Sequence, residues 1–154
     1  MKLGKATAFE DFVAPPAAEK KKRAPRRGLS PSQFNAVLQE TRELKDLGEW
    51  SAFKPRHLVG LYCLLHAHVY GVAAEDARES FLAAQSMARR ILAQDFSDNA
   101  QAAVEFMRWV WTRESKRYDR RDRDNDFRIG WRLQFGHQYL TDYRVFRARS
   151  RKKR

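Results

Sequence analysis

Three groups of side chains in this 154-residue chain are of types that could do chemistry. The first is acidic. Asp122, Asp124 and Asp126 in "DRDND" open with the alternating oxygen-ligand spacing of a calcium loop. The pattern then stops, because Phe127 stands where that loop needs glycine and Leu133 where it needs a bidentate glutamate. Neighbouring arginines compete for the same carboxylates, which weakens a divalent-metal nuclease reading. The second group is Cys63, His66 and His68. His66 and His68 stand two apart, so on a helix they point away from each other. Cys63 and His66 share a face, but two ligands on an apolar helix make an incomplete metal site. They read as a core thiol and a core imidazole. No glycine-rich phosphate loop, nucleophile elbow or metalloprotease helix is present. The sequence therefore reads as a non-enzyme, with no metal or cofactor.

The third group is cationic and aromatic. Arg117, Arg120, Arg121, Arg123, Arg128 and Arg132 are interleaved with Tyr118, Phe127 and Trp131. Arg144, Arg147, Arg149, Arg151, Lys152, Lys153 and Arg154 follow. A guanidinium binds phosphate through a planar fork and stacks on bases, so this composition suits nucleic acid. A third basic cluster, Lys20, Lys21, Lys22, Arg23, Arg26 and Arg27, lies near the N-terminus. In "KKKRAPRR" it resembles a nuclear-import signal, which would apply in a eukaryotic host.

The net charge of +12 is segregated. Residues 1–29 contribute +5, residues 30–115 contribute −2 and residues 116–154 contribute +9. A near-neutral body with basic ends suits binding a polyanion. Such contact is led by phosphates, tolerant of sequence and sensitive to salt. For residues 116–128 the competing reading is surface ion pairing with Asp119, Asp122, Asp124 and Asp126.

The elements that must carry these residues follow from periodicity and punctuation. Residues 1–29, with three prolines and a lysine run, read as a disordered arm. Ser30, Pro31 and Gln33 signal a helix start, and Phe34, Val37, Leu38, Leu44 and Leu47 recur at helical steps before Gly48. Trp50 and Phe53 should pin the connector that follows. A central helix, apolar almost all round, is expected over 55–70, a third helix over 74–94 and a fourth over 99–116. "FRIGWRLQF" then alternates strictly, which predicts a strand over 127–135 presenting Arg128 and Arg132 on one face. Helical spacing through Ile129, Leu133, Gly136, Leu140 and Tyr143 keeps a helix open as the alternative. Residues 144–154 read as a basic tail, its last eight residues mobile in isolation.

"HAHVYGVAAEDARESF", residues 66–81, resembles a helix-turn-helix around Ala67, Gly71 and Val72. Its groove-facing positions would be Ala73, Ala74, Glu75, Arg78 and Glu79, however, and carboxylates there would repel a phosphate backbone. The stretch reads as a helical hairpin of the core.

The chain thus reads as mainly α. A compact bundle of about four helices over 30–115 is followed by an arginine-aromatic segment, 116–143, that is a short strand or helix. A disordered basic arm precedes the bundle and a basic tail closes the chain. The single Cys63 fits a reducing, cytoplasmic compartment, and no apolar stretch approaches the ~18 residues of a membrane span. The expected function is a nucleic-acid-binding accessory, DNA favoured over RNA, in a larger assembly of phage or mobile-element type. Protein partners, or further copies, would meet the helical body. The rival expectation is a structural subunit of a capsid or other oligomer, its basic arms contacting acidic neighbours and its large aromatics anchoring interfaces.

Overall fold

A computed structural model describes residues 28–119 and 127–153 of the chain. The described residues are mainly helical and contain no strand. Helix α1 spans Pro31–Leu47, α2 Pro55–Tyr70, α3 Phe81–Phe96, α4 Ala100–Asp119, the single turn α5 Trp131–Gln134, and α6 His137–Lys152. Short 3₁₀ turns at Trp50–Ala52 and Ala74–Ala77 complete the order.

Helix α1 starts where its first residues require. The Gln33 N–H donates to Ser30 Oγ at 3.2 Å, and the Ser30 N–H donates to Gln33 Oε1 at 3.0 Å, so two otherwise orphaned donors are satisfied. Phe34, Leu38 and Thr41 line its buried face. Helix α2 touches α1, α3 and α4, which makes it the centre of the bundle. It opens at Pro55 and ends at Gly71, whose φ of 65° is a left-handed conformation open to glycine at little cost. The Lys54 N–H donates to His57 Nδ1 at 3.0 Å, leaving Nε2–H to meet Glu40 Oε2 at 3.0 Å. The His57 and Arg56 contacts together hold the Glu40 carboxyl below its ordinary value. Trp50 and Phe53 pin the connector as expected: their rings lie 5.5 Å apart, Phe53 is buried, and Arg108 of α4 sits over Trp50 at 5.3 Å.

The expected third helix starts late. Residues 74–77 form a 3₁₀ turn and α3 begins at Phe81, burying Phe81, Ala84, Ala88 and Leu92. The stretch after Gly71 is therefore not the recognition helix of a compact helix-turn-helix. Ser97 and Asp98, both with positive φ, turn the chain, and Asn99 caps α4 by accepting the Ala102 N–H at 3.0 Å. Helix α4 buries Ala103, Val104, Phe106, Met107, Val110 and Trp111, and also Glu114.

The strand expected over 127–135 is absent. Residues 127–130 lack regular structure, and the chain then closes the turn α5. Ile129, Trp131 and Phe135 are buried while Phe127 and Leu133 are exposed, so the alternating residues do not form one apolar face. The basic residues expected to close the chain continue α6, which is helical to Lys152.

At Gly60, α1 and α2 are in close approach: a Cβ there would lie 2.4 Å from Thr41 Oγ1, and Thr41 is fully buried. Alanine at this position should gain about 1 kcal/mol of helix propensity but lose about 1–3 kcal/mol to overpacking. Gly60→Ala is expected to destabilise by about 1 kcal/mol in denaturant unfolding. In a Thr41→Ala background the same change should stabilise. Equal effects in both backgrounds would show that the approach of Thr41 does not limit the packing.

Candidate nucleic-acid interface

The placement of the basic C-terminal residues begins with a buried carboxylate. Glu114 is 2% exposed on α4, and the free-energy cost of burying it demands partners. Arg117, one turn later, grips both of its oxygens, and the Tyr70 hydroxyl donates to Oε1 at 2.8 Å. Tyr70 Oη in turn accepts the Ile129 N–H at 2.8 Å. Burial pushes the Tyr70 hydroxyl well above its ordinary value, so it stays protonated and bridges the two groups. Two further ties hold the same segment. Tyr62 Oη donates to the Ile129 carbonyl at 3.4 Å, and Trp111 Nε1 donates to the buried Gln134 Oε1 at 3.0 Å. Ile129, Trp131 and Phe135 fill the space between these bonds, with Trp131 edge-on to Tyr62 at 5.6 Å.

From this anchor the chain passes into α6, which rests on α4 through aromatic contacts. Tyr143 lies 5.3 Å from both Phe106 and Trp109, and Phe146 lies 5.9 Å from Trp109. Arg147 reaches Glu105 at 3.1 Å, and Asp142 faces Arg113 at 3.7 Å. Both pairs are about half exposed and contribute little to stability.

The cations expected at the interface fall into three groups. Lys20, Lys21, Lys22, Arg23, Arg26, Arg27, Arg120, Arg121, Arg123 and Arg154 lie outside the described residues, as does the acidic triplet Asp122, Asp124 and Asp126. Arg128 and Arg132 do not share a strand face. Arg128 belongs to the irregular segment, its guanidinium 5.7 Å from the centre of the Tyr70 ring, and Arg132 is exposed on α5. Arg144, Arg147, Arg149, Arg151, Lys152 and Lys153 come together on α6 and its C-terminal cap, where all are exposed. Among the described residues only Arg147 of these six has an ion-pair partner.

The structure adds cations that charge sums over whole segments average away. Arg108 and Lys116 of α4 flank a shallow groove with His68 of α2. Arg113 stacks its guanidinium 4.6 Å over Trp109, beside Arg149 of α6. The four-residue steps Arg108–Thr112–Lys116 and Trp109–Arg113 were the available signal. Acids elsewhere in residues 30–115 cancel the charge of Arg108 and Arg113 in the sum and hide them.

The other chemistry-bearing residues lie elsewhere. Cys63 and His66 line a cavity of about 270 Å³ with Asp76, Ser80 and Trp131. Burial pushes the Cys63 thiol up to about 12, which leaves no thiolate for nucleophilic work. Burial, with Arg128 nearby, lowers the His66 value, and Asp76 opposes that shift. Among the described residues no three His, Cys, Asp or Glu side chains gather where they could hold a metal ion. No described helix is long and apolar enough to cross a membrane.

No protein-family model, curated protein sequence or solved structure matches the chain.

Removing Arg117 should expose how much depends on the anchor. Breaking a buried ion pair costs about 3–5 kcal/mol, and Arg117 is partly in water, so Arg117→Ala is expected near the lower end. Adding Glu114→Gln to that variant should recover stability, because a neutral amide replaces an unpaired buried charge. An Arg117→Ala protein that unfolds in denaturant like the parent would contradict the assignment.

Proposed function

We propose that the protein is a non-enzymatic nucleic-acid-binding accessory of a larger nucleoprotein assembly, gripping phosphates with the exposed cations of α6 and the outer face of α4. One observation carries this reading. Residues 143–153 hold four arginines and two lysines, contain no acid, and make up the end of α6 and its cap, a helix docked through Tyr143 on α4. A surface basic only for solubility has no need to gather its charge in this way. Like charges at three- and four-residue spacing, such as Arg144 with Arg147 and Arg147 with Arg151, each disfavour the helix by about 0.2–0.5 kcal/mol. The favourable position of cations at a helix C-terminus offsets part of that cost, and a bound polyanion would remove the rest.

The chemistry of the side chains supports phosphate over carboxylate as the partner. Arginine dominates, and its planar fork matches phosphate oxygens while its face stacks on bases. The basic N-terminal residues 20–27 would add reach and charge to the same polymer. DNA is favoured over RNA as the long partner; the helical body, with its nearly neutral charge, would meet protein neighbours. A role in DNA packaging, replication or recombination of phage or mobile-element type fits such a division of labour by analogy of architecture alone.

The test is fluorescence anisotropy of labelled DNA and RNA against increasing salt. Tight binding is expected at low salt, with log affinity falling linearly in log salt concentration. Replacing Arg144, Arg151 and Lys152 together should shallow that slope by up to about 0.9 for each phosphate no longer neutralised. A full-length protein that binds neither polymer at near-physiological salt would overturn the proposal and favour the rival role of an assembly subunit with acidic protein neighbours.

A further inference from the structure

We infer that the groove between α4 and α6 takes the unstacked bases of a single-stranded nucleic acid, an inference that rests on the nucleic-acid reading above. The groove is open, about 510 Å³, and lined by Trp109, Arg113, Asp142, Val145, Phe146 and Arg149. Its lining combines two aromatic rings with two guanidinium groups. Phe146 and Val145 are 47% and 46% exposed, an unfavourable display of large apolar side chains on a helix otherwise covered with charge. Phe146 lies 6.2 Å from Tyr143 with ring planes 25° apart, and 5.9 Å from Trp109 at 37°. The exposed ring thus ends a series of aromatic contacts, Phe106 to Trp109 to Phe146, that leads from the core to the surface.

Charge complementarity selects the occupant. A second copy seated face to face would bring Arg113 and Arg149 against their own counterparts. Asp142, the one carboxylate of the groove, already faces Arg113 at 3.7 Å and leaves the groove a net cation. The fitting partner is therefore an anion that also carries flat apolar faces. A duplex presents phosphates and base edges but keeps its base faces stacked inside. A single strand presents both phosphate and base face, and aromatic platforms in basic grooves bind it by stacking with little regard to sequence. Arg113 and Arg149 would hold the backbone beside a base stacked on Phe146.

The test uses full-length protein with a dT oligonucleotide and a duplex of the same length, each titrated by anisotropy. Phe146→Ala should weaken binding of the single strand about tenfold, leave duplex binding and the salt slope unchanged, and Phe146→Tyr should restore the single-strand affinity. Tryptophan emission should be quenched by the dT strand in the parent and less so in Trp109→Phe. If single strand and duplex bind alike and Phe146→Ala changes neither, the inference fails while the phosphate-led reading stands. If neither polymer binds, the reading beneath it fails. Concentration-dependent self-association, abolished by Phe146→Ala without any single-strand preference, would assign the groove to a second copy instead. Tight binding of an acidic peptide there, with no single-strand preference, would assign it to a protein partner; either result overturns the inference.

Discussion

A carboxylate buried inside a helical bundle must be answered by donors, and in this protein the answer to Glu114 ties the segment that begins α5 and α6 to the bundle. Arg117 neutralises it from the same helix, while Tyr70 reaches it from the end of α2 and passes the connection on to the backbone of Ile129. Three elements distant in sequence are thus tied at one point. Apolar packing is non-directional and would tolerate several placements of the segment after residue 126, whereas a chain of hydrogen bonds through one hydroxyl fixes its register. The Trp111–Gln134 bond repeats the same logic with a second pair from α4 and α5. A buried ion pair is a weak source of net stability, but it is a good device for specifying one arrangement. Here the arrangement it specifies is the base of α6.

Helix α6 itself is a compromise between docking and charge. Leu140 and Tyr143 pack against the core cluster, and beyond Tyr143 every described residue is exposed. A helix of sixteen residues is marginal in isolation, so the docked half must nucleate the projecting half. Mutual repulsion among its cations works against that extension, and anions would favour it. Order in the last turns and occupancy by a polyanion are therefore coupled in sign: each promotes the other.

Much of the fold is legible from the chain alone, where local signals agree with one another. The Ser30 capping box, Pro31 and Gly48 bound α1 because caps act through neighbouring backbone groups that sequence places directly. Pro55 and Gly71 do the same for α2. The alternation at 127–135 misleads for a physical reason. A strand needs a partner edge, and the described body is helical throughout, so Ile129 and Trp131 reach the core through a turn rather than a ladder. Glu75 and Asp76 mimic the acidic first turn of a helix that begins only at Phe81. Glu114 gives no sign of burial in the sequence, since its partners Tyr70 and Arg117 become significant only once α2 and α4 are packed. The adjacency of Arg113 and Trp109 to Arg149 and Phe146 is likewise a product of tertiary docking.

The proposed interface puts nucleic acid on one side of the molecule, along α6 and the outer face of α4, and leaves the α2–α3 hairpin with its helix-turn-helix cadence unoccupied. Hydrogen–deuterium exchange of the full-length protein, with and without a saturating DNA strand, distinguishes the two sides directly. Strong protection is expected over residues 143–153, weaker protection on α4 around 108–116, and no change over 66–81. Protection centred on residues 66–81, with α6 exchanging as fast as in the free protein, would contradict that placement.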